Sequence, residues 1–352
     1  MSGRVRKGHV RPLDLRRGRI DTSHGGGGRA MAQLIDELFV AAFDNEFLRQ
    51  GDDGAVLPAA AAGERLVIAT DAHVVSPLFF PGGDIGSLSV HGTVNDVAVM
   101  GARPLYLAAA FVLEEGFPLA DLQRIVASMA AAARDAGVPV VTGDTKVVEH
   151  GKGDGVFITT TGVGALPAGR DISGRRARPG DAVLVSGTIG DHGTAILSQR
   201  EALGFETEIV SDSAAIHGLV DALLVAVPQV HVLRDPTRGG LATTLNEIAA
   251  RSGVGITLEE AAVPIASQVQ AACEFLGLDP LYVANEGKLV VILPAARAAA
   301  ALAALRAHPL GCRAAVIGEV TEDPHHFVQI RTEFGGRRLV DWLSGEQLPR
   351  IC

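Results

Sequence analysis

Cysteine is scarce in this chain: Cys273, Cys312 and Cys352 are the only three in 352 residues. An odd count without C-x-x-C spacing argues against a disulfide framework and a structural zinc site, and fits a reduced, cytoplasmic protein. No apolar run approaches the length that crosses a bilayer, and the N-terminal stretch lacks the apolar core of a secretory signal. Positive charge is in deficit, with a formal net charge of -9, which argues against nucleic acid as a partner. The exception is the first twenty residues, where Arg4, Arg6, Lys7, Arg11, Arg16, Arg17 and Arg19 cluster; this reads as a solvated tail. Neither the Walker A spacing nor a Rossmann fingerprint after a strand occurs, and no short tandem repeat is visible.

What the chain has is ordinary globular composition, 47% hydrophobic and 20% charged, and length for two domains with separate cores. Apolar periodicity predicts a helix over Met31–Phe43, a strand over Leu66–Thr70 ending in Asp71, and a helix over 84–100 stopped by Gly101. Strand 105–113, helix 119–136, strand 138–142 and strand 155–163 complete a first unit. Residues 166–181 are rich in Pro, Gly and charge and mark the domain boundary. Beyond it, strands are expected near 182–186, 254–258, 281–284, 288–293 and 314–320. Helices are expected near 192–202, 214–226, 239–252 and 296–307. The irregular mixing of helices and strands predicts an α+β fold with mixed sheets. The expected layout is a basic, glycine-rich segment over 1–28, domains over 29–165 and 175–334, and a mobile tail over 335–352. Within that tail, Leu339–Leu343, including Trp342, reads as an anchoring patch.

Four Asp-bearing segments could carry chemistry: Gly51-Asp52-Asp53-Gly54, Thr70-Asp71, Asn95-Asp96 inside an apolar helix, and Asp235-Pro236-Thr237-Arg238-Gly239-Gly240. Mg²⁺ takes hard oxygen ligands and commonly joins one or two carboxylates to nucleotide phosphates. Each segment alone has a bland reading as a turn or helix cap. Asp96 is the least bland, because a carboxylate on an apolar helix face needs a partner. Glycine clusters at His24–Gly28, Pro81–Asp84, Gly143-Asp144-Thr145-Lys146 and Asp235–Gly240 offer backbone N–H groups of the kind that hold anionic oxygens. Asn285-Glu286-Gly287-Lys288, between two expected strands, has the composition of a hairpin turn. Cys273 and Cys312 read as small core hydrophobes. Cys352 differs because it is the last residue.

In their order along the chain, Gly51-Asp52-Asp53, Thr70-Asp71, Asn95–Gly101, Gly143-Asp144-Thr145 and Asp235–Gly240 resemble the ATP-binding superfamily of aminoimidazole ribonucleotide synthetase. Selenophosphate synthetase, thiamine monophosphate kinase and the HypE family of hydrogenase maturation proteins share that superfamily. Three features resemble the HypE family: the glycine run at His24–Gly28, the segments Thr70–Pro77 and Phe80–Gly86, and the ending Pro349-Arg350-Ile351-Cys352. A selenophosphate synthetase would carry a cysteine or selenocysteine in the N-terminal glycine-rich segment, and none is present.

The resemblance implies a two-domain fold whose N-terminal sheet pairs with a second copy in a homodimer. It implies ATP contacts at Gly25, Gly26, Gly27, Asp71, Asn95, Gly143, Asp144, Thr145 and Arg238, and Mg²⁺ held by Asp53, Asp71, Asp96 and Asp235. It further implies a carbamoyltransferase, HypF, that loads Cys352, ATP-dependent dehydration of the S-carbamoyl group to a thiocyanate, and a HypC–HypD complex that accepts cyanide for the iron of [NiFe] hydrogenase. Glu286 is the expected base and Lys146 the expected phosphoryl-stabilising or proton-removing group. The alternative is a small-molecule kinase of the same superfamily, similar to thiamine monophosphate kinase.

Overall fold

The computed structural model of the chain describes residues 12–25, 29–50, 57–58, 60–200, 209–343 and 350–352. Asp53, Gly26 and Gly27 therefore lie outside the described residues. The expected first helix is α1 (Arg29–Leu34), a π-helical turn over Ile35–Val40, and α2 (Ala41–Phe43) in direct succession. The N-terminal domain continues with β1 (Arg65–His73), the two-residue strands β2 (Phe79–Phe80) and β3 (Gly83–Asp84), α3 (Ile85–Val99), β4 (Arg103–Glu114), α4 (Leu119–Ala136), β5 (Val140–Val148) and β6 (Val156–Leu166). Its main sheet runs β1-β6-β4-β5, antiparallel except for the β4–β5 pair.

Alternation along these strands divides the sheet into two faces. Leu107, Ala109, Phe111 and Leu113 of β4 point inward onto α3 and α4, and are buried. Asp71 and His73 of β1 share that inner face, because they stand opposite Thr160 and Ile158 of β6, which in turn oppose Ala109 and Phe111. Leu66 and Ile68 point the other way and are 60% and 68% exposed.

Helix α3 is buried around almost its whole circumference, Ser89, Thr93 and Asn95 included, as a helix enclosed between elements must be. Asp84 caps it, accepting from the Gly86 and Ser87 amides in a capping box with Ser87. Its last turn, Ala98 and Val99, packs into the core of the second domain. One buried side chain ties the two halves there. Asn95 donates to the Ala214 and Glu286 carbonyls at 3.0 and 3.2 Å and accepts from the Ile216 amide at 2.8 Å.

The second domain comprises β7 (Asp181–Val185), α5 (Asp191–Arg200), α6 (His217–Ala226), β8 (Val232–Arg234), α7 (Gly240–Ser252), β9 (Gly255–Glu259), α8 (Ser267–Leu276), β10 (Val290–Pro294), α9 (Ala298–Arg306), β11 (Ala315–Thr321), β12 (Val328–Arg331) and β13 (Arg337–Leu339). Its seven-stranded sheet has the order β13-β12-β9-β11-β7-β10-β8, and separate apolar clusters fill its two faces. The mixed-sheet α+β expectation holds.

Four local expectations need correction. Residues 281–284 are not a strand: Pro280 lacks an amide donor and Asp279 caps a 3-10 turn over Pro280–Tyr282. The strand expected to stop at 142 continues to Val148, carrying Gly143, Asp144, Thr145 and Lys146 in register beside β4. A side chain at 143 would meet the Ala109 carbonyl oxygen at 2.4 Å, so this glycine serves strand packing. The tail does not begin at 335, since β13 pairs with β12. Its anchor is the buried Val340, whose carbonyl accepts from Asn246, whereas Trp342 is 48% exposed. Among the described residues no helix is long and apolar enough to cross a membrane.

Replacing Asn95 by Ala leaves one amide and two carbonyls without that partner at the domain junction. A loss of about 3 kcal/mol is expected, read as a lowered urea midpoint; an unchanged midpoint would remove Asn95 as the tie between domains.

Candidate functional site

The elements meet at a polar cluster between the domains. Strand β1 brings Asp71, α3 brings Asp96, the turn after β8 brings Asp235 and Arg238, and the loop before β10 brings Glu286. Asp235 and Glu286 are buried, and Asp71 and Asp96 are half-buried. Burial pushes the Asp96 carboxyl up to about 7, and the neighbouring Asp235 and Asp71 push the same way. Burial likewise raises Asp235. Glu286 is raised well above the usual carboxylate range, by burial first and then by Asp212, Asp235, Asp71 and Asp96. One of its oxygens, Oε1, is buried without a hydrogen-bond partner among the described residues.

The Glu286 loop is no hairpin turn. Asp212 accepts from the Glu286 and Gly287 amides at 3.1 and 3.2 Å and forms an ion pair with Lys288 at 3.1 Å. Gly287 lies so close to this support that a Cβ would meet the Asp212 carbonyl oxygen at 1.9 Å. Asn285 is fully buried, donating to the Pro236 and Val283 carbonyls and accepting from the Gly190 amide. The loop is thus a rigid platform that presents Glu286.

Cys352 reaches this cluster. Residues 350–352 run beside residues 74–76 as a short β-bridge between Val75 and Ile351. The Val74 amide donates to the Cys352 carbonyl at 3.0 Å, and the Ser76 amide to the Arg350 carbonyl at 3.1 Å. Ile351 is 4% exposed and joins the N-terminal core, a burial that contributes about 1.5–3 kcal/mol. In this docked position burial raises the Cys352 thiol, and Glu286, Asp71 and Asp235 raise it further against the pull of Arg238. Those four residues therefore lie close enough to bias the charge on its sulfur.

Other expected residues fall elsewhere. Lys146 is exposed on the outer face of the sheet and pairs with Asp144 at 3.1 Å. It stands on the opposite face from Asp71 and three strands away, about 14 Å across the sheet. Gly143, Asp144 and Thr145 line an apolar cavity of about 110 Å³ with Met31, Ile35 and Phe39. Asn95 has its amide group engaged in the domain tie and leaves no free donor. Gly25 ends a 3-10 turn over Thr22–Gly25. The Pro81–Asp84 segment offers no open anion site either, because Asp84 itself takes the first free amides of α3.

Asp71, Asp96 and Asp235 have the donor chemistry of a hard divalent cation's site, carboxylate oxygens whose mutual repulsion such an ion would relieve. Among the described residues, no three His, Cys, Asp or Glu side chains close into a ready-made cation cluster.

Sequence reasoning missed Asp212, Lys288, His192 and Arg200. Lys288 sat inside the quoted Asn285–Lys288 motif but was absorbed into a turn. His192 and Arg200 lie on α5, whose pattern signalled only a helix.

Residues 51–166 match the AIR synthase related protein N-terminal domain, and residues 178–331 the corresponding C-terminal domain. Carbamoyl dehydratase HypE of Cupriavidus necator is 73% identical over 352 residues, covering 100% of both chains. The crystal structure of hydrogenase maturation protein HypE in complex with ATP is similar with a TM-score of 0.90 at 53% identity, over 94% of this chain and 99% of that one. HypE in a HypE–HypF complex is similar with a TM-score of 0.77 at 50% identity, over 88% of this chain and 99% of that one. With both AIR synthase-related domains matched and such identity along its whole length, the chain belongs to the HypE family of carbamoyl dehydratases.

Proposed function

We propose that this protein is an ATP-dependent dehydratase that converts an S-carbamoyl group on its own Cys352 to a thiocyanate. The observation that carries the reading is the docking of residues 350–352 along residues 74–76, which brings the Cys352 thiol within the electrostatic reach of Glu286, Asp71, Asp235 and Arg238. A cysteine with no catalytic use would have no reason to reach a cluster of carboxylates whose charges are so costly to keep together.

The carbamoyl group would arrive from a carbamoyltransferase of the HypF kind, the partner in the relative's complex. Its oxygen attacks the γ-phosphorus of ATP and ADP leaves, while one N–H proton goes to a base. The C–O bond then breaks, hydrogen phosphate departs with the second N–H proton, and a nitrile remains on sulfur. The carboxamide and ATP thus become thiocyanate, ADP, hydrogen phosphate and one proton.

Glu286 is the proposed base, held at a fixed position by Asp212 and Gly287. At rest its raised affinity for protons comes from burial and from neighbouring negative charge. Neutralising Asp71, Asp96 and Asp235 removes part of that repulsion and frees Glu286 to accept a proton. Mg²⁺ on those three carboxylates, with Asp53 completing the set, would supply that neutralisation together with charge balance for the nucleotide phosphates. Arg238, exposed at the same turn, is placed to meet the phosphates.

The exposed outer face with Leu66 and Ile68 favours a homodimer through that sheet. Lys146 lies on this face, where a second copy would bring it to the interface. Delivery of cyanide to a HypC–HypD complex completes the proposed sequence, in a cytoplasmic setting.

Intact mass tests the reading, using the protein with its carbamoyl-loading partner, carbamoyl phosphate and ATP–Mg²⁺. The expected product is a carbamoyl adduct on Cys352 that loses one water only when ATP is present. A loaded Cys352 that never loses water, or free-substrate phosphorylation by a Cys352→Ala variant, would move the kinase reading forward. Glu286→Gln is expected to accept the carbamoyl group normally and dehydrate it about 100-fold more slowly. Equal dehydration rates would remove Glu286 as the base.

Asp96 makes stability depend on pH. Its folded pKa lies at about 7, above the ordinary 3.8, so the folded chain binds more protons than the unfolded one between these values. Its contribution is therefore favourable at low pH and is lost as pH rises from about 4 to 7. Without nucleotide or Mg²⁺, Asp96→Asn should raise Tm more at pH 8 than at pH 4.5. A shift independent of pH would show that Asp96 is not held in repulsion.

A further inference from the structure

The docked segment is held by its main chain. Besides the two amides of the β-bridge, His192 Nε2 lies 2.7 Å from the Ile351 carbonyl oxygen. Arg200 donates at 3.0 Å to the Arg350 carbonyl and at 2.7 and 3.1 Å to the Ser76 carbonyl, clamping both strands of the bridge. Every carbonyl from 350 to 352 thus has a donor. Of the three side chains, Ile351 is buried, Cys352 is half-buried against the N-terminal core, and Arg350 reaches outward to Asp154. Among the described residues the Cys352 sulfur has no hydrogen-bond partner.

His192 is built for one orientation. It is fully buried on α5, its ring lies edge-on to Phe80, and Nδ1 is 2.8 Å from Ser211 Oγ. Ser211 Oγ in turn accepts from the Ser213 amide. The Ile351 carbonyl can only accept, so Nε2 carries the ring proton and donates to it, and Nδ1 accepts from the Ser211 hydroxyl. Burial keeps the imidazole neutral, consistent with that single-donor form.

We propose that residues 74–76, His192 and Arg200 form a peptide-recognition groove that reads the backbone of residues 350–352 and the Ile351 side chain, and is indifferent to the group carried by the Cys352 sulfur. The groove works by strand addition, with backbone bonds supplying affinity and one pocket supplying specificity. On the dehydratase reading, on which its purpose rests, the thiol, carbamoyl and nitrile forms all dock in the same way. The bound ligand is then a removable cysteinyl peptide, and a free peptide of the same sequence competes for the site.

The test uses the full chain without ATP or carbamoyl phosphate, following alkylation of Cys352 by peptide mass. Synthetic peptides of residues 347–352 are added in excess, with the cysteine either already alkylated or replaced by Ala. Both should displace the docked segment and accelerate alkylation saturably and to the same extent, about fivefold or more, whereas a peptide with Ile351→Gly should have no effect. In the chain itself, His192→Gln, Arg200→Ala and Ile351→Gly should each start from the faster rate. The peptide-side changes keep the test valid even if the buried His192 variant fails to fold. Equal displacement by the Ile351→Gly peptide, failure of the Ala peptide, or unchanged rates in both Arg200→Ala and Ile351→Gly chains would overturn the groove. Peptide competition with no later dehydration would instead sink the dehydratase reading and leave the groove intact. Dehydration by a chain that no peptide affects would do the reverse.

Discussion

The enclosure of α3 is the constraint on which the site depends. The apolar residues of this helix are spread around its axis and nearly all of its sides are buried, and one domain cannot cover them: the sheet and α4 cover part, and the second domain covers the rest. Burying the helix therefore fixes the relative position of the two domains, with Asn95 adding direction to an otherwise greasy contact. The same helix carries Asp96 to the junction, where carboxylates from β1, the β8 turn and the Glu286 loop converge. The charge cluster is a consequence of how the core is shared between the domains.

That cluster is kept against its own repulsion. Asp96, Asp235 and Glu286 are all pushed toward their protonated forms, with burial as the largest cause in each case. A fold selected for stability alone would place apolar side chains there. The rigid support behind Glu286, where Asp212 holds two successive amides and Lys288 balances Asp212, shows stability being spent to keep one carboxylate in place.

Much of this was legible in the sequence where a local signal had one physical meaning. The 119–136 helix and the Gly101 stop follow from periodicity and chain chemistry, and the structure has them. Asp96 was visible because a carboxylate inside an apolar helix has few explanations. Legibility failed where tertiary contact overrides local chemistry. Gly143-Asp144-Thr145 looks like a loop, yet pairing with β4 makes it strand. Asn285–Lys288 looks like a turn, yet Asp212, more than seventy residues away, gives it another shape. His192 and Arg200 carry no motif at all, since what they recognise is the backbone of residues 350 and 351, which no residue pattern records.

The docked position also constrains the order of events at Cys352. A thiol must ionise to attack a carbamoyl donor, and in the groove both burial and the nearby carboxylates oppose ionisation. Once the sulfur is carbamoylated it has no charge to lose or gain, and the same surroundings cease to be unfavourable. On the proposed chemistry, loading would be disfavoured inside and dehydration would not, which would separate the two reactions in space without any additional switch. A groove that reads only backbone and Ile351 suits such a cycle, because it neither rewards the free thiol for staying nor rejects the modified one on its return.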